Sequence, residues 1–103
     1  LVGGNIGDTV YTLDEYHQRV ILSKIDQKGF LHDSSVFVDC GDRSVTVDNK
    51  GNVYVANGEV YVFDSHGNRI GTIDVPERPT SLLFRGDTLY ITAVSSLYQV
   101  MLN

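Results

Sequence analysis

The sequence predicts an all-β protein, and three observations support this prediction. Short runs rich in Val, Ile, Tyr, Phe and Thr recur between turn residues, whereas the 3.6-residue apolar period of a helix is absent. The motif D-x-x-G-N occurs twice between such runs, as DNKGN at 48–52 and DSHGN at 64–68. A third pattern, [TN]-[VL]-Y, places Tyr11, Tyr54 and Tyr90 about 40 residues apart. A strand-hairpin-strand unit repeating at that period is typical of the blades of a β-propeller.

Ten strands are predicted, each bounded by turn residues. In the D-x-x-G turns the aspartate accepts hydrogen bonds from the backbone that follows, and the glycine takes the positive φ of a tight hairpin. DQKG at 26–29 is a looser third copy of the motif. The predicted strands, in chain order, are 9–13, 19–25, 35–39, 44–47, 52–56, 59–63, 69–74, 80–84, 88–93 and 96–102.

The pattern within the strands distinguishes a propeller from a β-sandwich. A sandwich sheet has one face in solvent, so its strands alternate apolar with polar residues. VYVA, VYVF and TSLLF are instead apolar on both faces. Sheets stacked between two neighbouring sheets are buried on both faces, and so are the central strands of a parallel sheet. A parallel sheet needs crossover helices, however, and the sequence has no helical pattern. The strands therefore favour stacked blades.

Overlaying the repeats divides the chain into an incomplete blade at about 1–40, a complete blade at 41–76 and an incomplete last blade at 77–103. The first segment is expected to hold only the second, third and fourth strands of its blade. Apolar faces at both ends would form a large unprotected surface, which soluble monomers avoid. We therefore expect the chain to be one portion of a larger propeller, completed by another chain or by residues absent from this sequence. Its opening on Leu1 agrees with a processed or partial product.

Composition narrows the class of partner. The 103 residues include 42% hydrophobic residues, enough for one domain or part of one. Thirteen acidic residues against eight basic ones give a net charge of -5, and the basic residues are scattered, so we expect no nucleic-acid partner. No apolar run approaches the ~18 residues of a membrane span, and no signal peptide is visible. We expect a soluble protein with no membrane partner. The sequence does not distinguish a cytoplasmic protein from a periplasmic or secreted one. Cys40 is alone and cannot form an internal disulfide.

Longer phrases resemble a known family. VTVDNKGNVYVA, VFDSHGNRIGTIDVPERPT and LYITAVSSLY resemble the C-terminal part of the senescence marker protein, gluconolactonase and luciferin-regenerating enzyme family, and TVYTLDEYHQRVILSKIDQKG resembles its preceding blade. The similarity spans nearly the whole chain. It implies a six-bladed β-propeller, of which this chain supplies roughly the last two to three blades.

The resemblance also implies a function. Members of the family bind a divalent cation at the propeller axis through a glutamate, two asparagines and an aspartate. The cation polarises a lactone carbonyl and activates water, so the reaction needs no nucleophilic side chain. This chain is accordingly expected to belong to a metal-dependent hydrolase of small lactones, with calcium as the cation and zinc, magnesium or manganese as alternatives. Its expected partners are a small-molecule lactone and the remainder of the propeller, while its catalytic residues stay unassigned.

Of the four metal ligands, the position of the aspartate alone falls within this chain. The common family pattern puts it five residues before Asp48, where this sequence has Arg43, and Asp42 stands one position earlier. A one-residue bulge would turn the Asp42 carboxylate inward as the metal ligand. In a second interpretation Arg43 faces the pocket, and the site has lost calcium or binds an anionic substrate. In a third, Asp42 is an acid on a solvated loop.

Two further residues are candidates for the rim of the pocket. Overlaying the two loops that lead into the first strands of successive blades aligns Ser44 with Thr80, and so Asp42 with Arg78. Such loops point at the axial pocket in the family, so Arg78 and Thr80 join Arg43 as candidate rim residues. Arg78 has an alternative structural role, pairing at the surface with Glu77 or Asp74.

Other polar residues are expected to be structural. Three histidines lie in or beside predicted turns without the spacing of metal ligands, and surface positions are expected for them: His17, His32 and His66. Asp48 and Asp64 are assigned to hairpin turns because a twelve-residue calcium loop is missing. Against the hydrolase stands an alternative function, a non-catalytic propeller that binds a ligand or partner with a degenerate metal site. A weaker alternative is an assembly unit whose copies complete one another's propeller.

Overall fold

The computed structural model describes residues 2–6 and 9–101. Within them the chain forms strands joined by turns, and no helix is long and apolar enough to cross a membrane. The strands are β1 (Val2–Ile6), β2 (Thr9–Asp14), β3 (Arg19–Ile25), β4 (Leu31–Val38), β5 (Ser44–Val47), β6 (Val53–Asn57), β7 (Glu59–Phe63), β8 (Arg69–Ile73), β9 (Pro79–Arg85), β10 (Thr88–Ala93) and β11 (Leu97–Met101).

The strands form three antiparallel sheets in chain order. The first sheet has the order β1-β2-β3-β4, the second β5-β6-β7-β8, and the third β9-β10-β11. In each sheet consecutive strands pair with each other, which is the meander of a propeller blade. The innermost strands adjoin one another, because β5 contacts both β1 and β9. The chain is all-β and forms part of a β-propeller.

The first sheet corrects the strand count that the sequence predicts for its segment. Residues 1–40 are expected to contribute three strands, but β1 adds a fourth by pairing with β2. VGGNI was missed because two of its five residues are glycines, which have low β propensity. A register shift between Val2 and Gly4 interrupts the pairing.

The second sheet is covered on both faces. Its Val45, Val53, Val55 and Phe63 pack against the first sheet's Tyr11, Leu13 and Val20. From its other face, Tyr54, Ala56, Val60 and Val62 pack against the third sheet's Leu82, Leu89 and Ile91. Three sheets are therefore stacked in series, and a two-layer sandwich is excluded for this part of the chain. The apolar residues at both parities of β6 and β7 have the burial that the sequence predicted.

The repeated D-x-x-G-N motif builds the same turn twice. Asp48 Oδ1 accepts hydrogen bonds from the backbone N–H of Lys50 at 2.8 Å and of Asn52 at 3.0 Å. In the second copy, Asp64 Oδ1 accepts from the backbone N–H of residues 66 and 68 at 2.9 and 3.0 Å. These hydrogen bonds, led by the one from residue 68, lower the pKa of Asp64. Gly51 takes a φ of 91°, which the hairpin requires and L-residues rarely adopt. Hairpin chemistry thus accounts for both aspartates.

Candidate functional site

The candidate site lies where two loops lead into the innermost strands β5 and β9. Residues 39–43 connect the first sheet to β5, and residues 74–78 connect the second sheet to β9. We call these segments the axial loops. Since β5 contacts β9, the two loops meet at one end of the stacked sheets, and both carry candidate site residues.

The first axial loop is held firmly at its base. The backbone N–H groups of Asp42 and Arg43 both donate to the carbonyl oxygen of Ala56, at 3.0 and 3.1 Å. Gly41 has a φ of 141°, and a Cβ there would lie 2.7 Å from Leu13 Cδ1 of the first sheet. Glycine is therefore favoured at position 41, because a side chain would strain the backbone and force Leu13 to shift. These contacts hold the backbone of Asp42 in place, and its side chain is 14% exposed.

Arg78 of the second axial loop pairs with Asp42. Its guanidinium Nη2 donates to Asp42 Oδ2, and the Arg78 side chain is 54% exposed. Pro79, the next residue, is fully buried and begins β9, so the backbone beside Arg78 is held in place. The ion pair therefore joins the second and third sheets across the axial loops.

Among the described residues, Arg78 forms its ion pair with Asp42 and not with Glu77 or Asp74, the surface partners considered from the sequence. Glu77 instead accepts hydrogen bonds from the Ser95 hydroxyl at 2.7 Å, the Ser95 backbone N–H at 3.1 Å and the Ser96 hydroxyl at 3.3 Å. These hydrogen bonds, led by the Ser95 hydroxyl, lower the pKa of Glu77. They tie the second axial loop to the turn between β10 and β11, and they leave Asp42 as the carboxylate that receives Arg78.

The remaining rim candidates have different surroundings. Arg43 is exposed beside Asp42. Thr80 donates its hydroxyl to the Thr92 carbonyl at 3.0 Å, so this group serves the third sheet's own backbone. The structure thus pairs Asp42 with Arg78, while Arg43 has an exposed side chain and Thr80 is tied to β10.

The overlay that aligns Ser44 with Thr80 is off by one residue. Ser44 pairs with Ala56 in the second sheet, and Ser81 pairs with Thr92 at the matching place in the third. A register shift between Thr92 and Ala93 adds the extra residue. Sequence analysis did not predict a hydrogen bond between these two sheets, in which the Leu82 backbone N–H donates to Ser44 Oγ at 3.2 Å. A serine at the start of the strand SVTV was the available signal.

The chemistry of these side chains fits one ligand of a hard cation. The Asp42 carboxylate offers oxygen donors at the axial end of β5, as calcium prefers. Within residues 2–6 and 9–101, no three His, Cys, Asp or Glu side chains converge as a metal cluster. A hard cation at Asp42 would therefore need oxygen ligands besides this carboxylate, and its binding would break the pair with Arg78.

Other polar groups lie away from the axial loops. A pocket of about 340 Å³ at the opposite end of the sheets is lined by Asp48, Lys50, Tyr54, Phe84 and Asp87, among others. Tyr54 donates its hydroxyl to Asp48 Oδ2 at 3.2 Å, and burial followed by the Asp48 charge raises the pKa of Tyr54 to about 12. The three histidines are exposed, as predicted.

Comparison with known proteins gives a consistent result. Residues 5–95 match the SMP-30/Gluconolactonase/LRE-like region. A gluconolactonase from Xanthomonas campestris is 26% identical with a TM-score of 0.81, over 93% of this chain and 34% of that one. A luciferin-regenerating enzyme is 19% identical with a TM-score of 0.71, over 84% of this chain and 34% of that one, and this likeness concerns the fold alone. No curated protein sequence matches the chain.

The matches cover different shares of the proteins compared. The chain spans 34% of the length of both solved structures, so it corresponds to part of each fold. The family match, in contrast, covers most of its 103 residues. The chain belongs to the SMP-30/gluconolactonase/LRE-like family.

Proposed function

We propose that this chain forms part of a lactone hydrolase. The observation that carries the proposal is the structural likeness to a gluconolactonase over 93% of the chain, with a TM-score of 0.81. In the reaction, water attacks the lactone carbonyl carbon, the ring C–O bond breaks, and the product is an open-chain hydroxy acid. The proposed reaction site is the axial end of the sheets, where Arg78 pairs with Asp42 and where Arg43 follows Asp42 in the chain.

The chain's own residues would bind and orient the reactants. Asp42 is proposed as one ligand of a divalent cation, with calcium preferred over zinc, magnesium and manganese because the donors are oxygens. When bound, the cation polarises the lactone carbonyl and activates water. Arg43 and Arg78 are proposed as rim residues whose guanidinium groups donate hydrogen bonds to substrate oxygens.

The proposal requires further blades, and the third sheet offers the surface for one. Tyr11 and Tyr54 occupy equivalent positions in the first two sheets and are 4% and 6% exposed, each lying in a core shared with the next sheet. Their counterpart Tyr90 is only half-buried, beside Leu83 and Leu97, which are 57% and 67% exposed. We propose that another blade, from the same polypeptide or from a second chain, covers this face as the third sheet covers the second.

A second candidate function is a propeller that binds a ligand without catalysis. The observation that favours it is the ion pair, because Arg78 neutralises the carboxylate proposed as a metal ligand. In this alternative the pocket is retained and the cation site is degenerate. Shared fold does not decide between the two functions.

Hydrolysis of glucono-δ-lactone tests the proposed function. By the assembled protein we mean this chain together with the further blades proposed above. It is expected to release acid faster than spontaneous hydrolysis does. Chelation with EDTA is expected to return the rate to the spontaneous value, and added calcium is expected to restore it. Acid release is measured in a pH-stat at constant lactone concentration.

The control is the same protein after heat denaturation. Acid release no faster than in buffer alone would favour the ligand-binding alternative. Enzymatic hydrolysis that is indifferent to EDTA would retain the lactonase and remove the metal from its mechanism.

A further inference from the structure

The Asp42–Arg78 ion pair occupies the position proposed for a cation. Asp42 is mostly buried at 14% exposure, so its negative charge needs a partner close by. Arg78 supplies that partner from the neighbouring sheet, and Glu77, the adjacent carboxylate, is already held by Ser95 and Ser96. The guanidinium therefore donates to Asp42 Oδ2, an oxygen that would also be available to a metal.

The two partners differ in how firmly they are held. The Asp42 backbone is anchored on Ala56 and its loop packs closely on Leu13, and the Asp42 side chain is only 14% exposed. The Arg78 side chain is 54% exposed, and an arginine stem can turn into solvent when its head group is displaced. Because the Arg78 side chain is largely exposed, its guanidinium is rehydrated when it leaves Asp42 and can exchange with a competing cation.

Given the proposed function, we propose that Arg78 is the built-in competitor of the divalent cation at Asp42 and sets the affinity of that site. While Arg78 is paired with Asp42, it joins the second and third blades. When the cation binds, its double charge displaces the guanidinium. Because binding must break the pair and meets the positive charge of Arg78, the site binds the cation more weakly than the same carboxylate would without this arginine.

Calcium titration of the assembled protein tests this inference. Arg78→Gln keeps a polar side chain and removes the charge, and it is expected to tighten calcium binding on the order of tenfold. Isothermal titration calorimetry measures the affinity. The matched control is Lys28→Gln, which removes one positive charge from the exposed turn between β3 and β4 and is expected to leave the affinity unchanged.

A double variant places the effect at Asp42. Asp42→Asn combined with Arg78→Gln is expected to lose the gain in affinity, because the carboxylate for which Arg78 competes is gone. The inference is overturned if Arg78→Gln leaves calcium affinity unchanged or weakens it, if Lys28→Gln tightens it equally, or if neither wild type nor Arg78→Gln binds calcium.

The outcome is separable from that of the lactonase proposal. Tighter calcium binding by Arg78→Gln in a protein that hydrolyses no lactone would support the competition and reject the enzyme. Lactone hydrolysis by a protein whose calcium affinity is the same with and without Arg78 would support the enzyme and reject the competition.

Discussion

Leu89→Ala is expected to lower the free energy of unfolding by about 3 kcal/mol, within the range found when a buried leucine is truncated. Leu89 is 0% exposed and lies in the cluster between the second and third sheets. Its replacement removes buried apolar surface and leaves a cavity facing Tyr54 and Val60, on strands that are themselves paired and have little freedom to close it.

Urea unfolding of the assembled protein measures this effect. The matched control is Ile70→Ala on the outermost strand β8, where the side chain is 57% exposed and the expected change is within about 1 kcal/mol. A loss from Leu89→Ala no larger than that of Ile70→Ala would show that the two sheets do not share a close-packed core.

Asp42→Ala is expected to reduce lactone hydrolysis by roughly 100-fold, the effect typical of removing one group that supports charge stabilisation in a transition state. In the proposed mechanism Asp42 acts by positioning the cation. Stability should fall by no more than about 1 kcal/mol, because the partner Arg78 is largely exposed and is rehydrated when the pair is lost. Activity and folding therefore respond differently to this substitution.

The measurement combines pH-stat rates with calcium titration and a urea unfolding curve. Asp39→Ala is the matched control, since it removes an exposed carboxylate from the same axial loop and is expected to retain the wild-type rate. Equal rates for Asp42→Ala and the wild type, with calcium affinity unaltered, would remove Asp42 from the proposed site.

Much of the fold follows from local sequence patterns. The turns at Asp48 and Asp64 depend on residues within four positions, and the predicted hydrogen bonds are present. Burial of Tyr11 and Tyr54 follows from a repeat that places the same residue on the same face of successive sheets. β1 escaped prediction because VGGNI has few strand-forming residues and gains its conformation from pairing with β2.

The site was less predictable because it depends on how separate blades meet. Asp42 and Arg78 were both identified, but their pairing spans 36 residues and two sheets. The overlay of the two loops went wrong at the extra residue beside Ala93, since a bulge shifts register without leaving a clear mark in the sequence. Glu77 accepts a hydrogen bond from Ser95 because the turn after β10 lies close to the second axial loop. The spacing of these residues in the sequence does not reveal that proximity.

Thiol labelling of Leu83→Cys, in a Cys40→Ser background, tests most directly whether the exposed face of the third sheet is covered by another blade. Leu83 and Ile70 are both 57% exposed in this chain, so Ile70→Cys on the outer strand β8 is the matched control. In the assembled protein we expect Ile70→Cys to react readily and Leu83→Cys to be protected until denaturant is added. Equal labelling of the two cysteines in the native protein would show that no further blade packs on the third sheet, contradicting the propeller on which the proposed function depends.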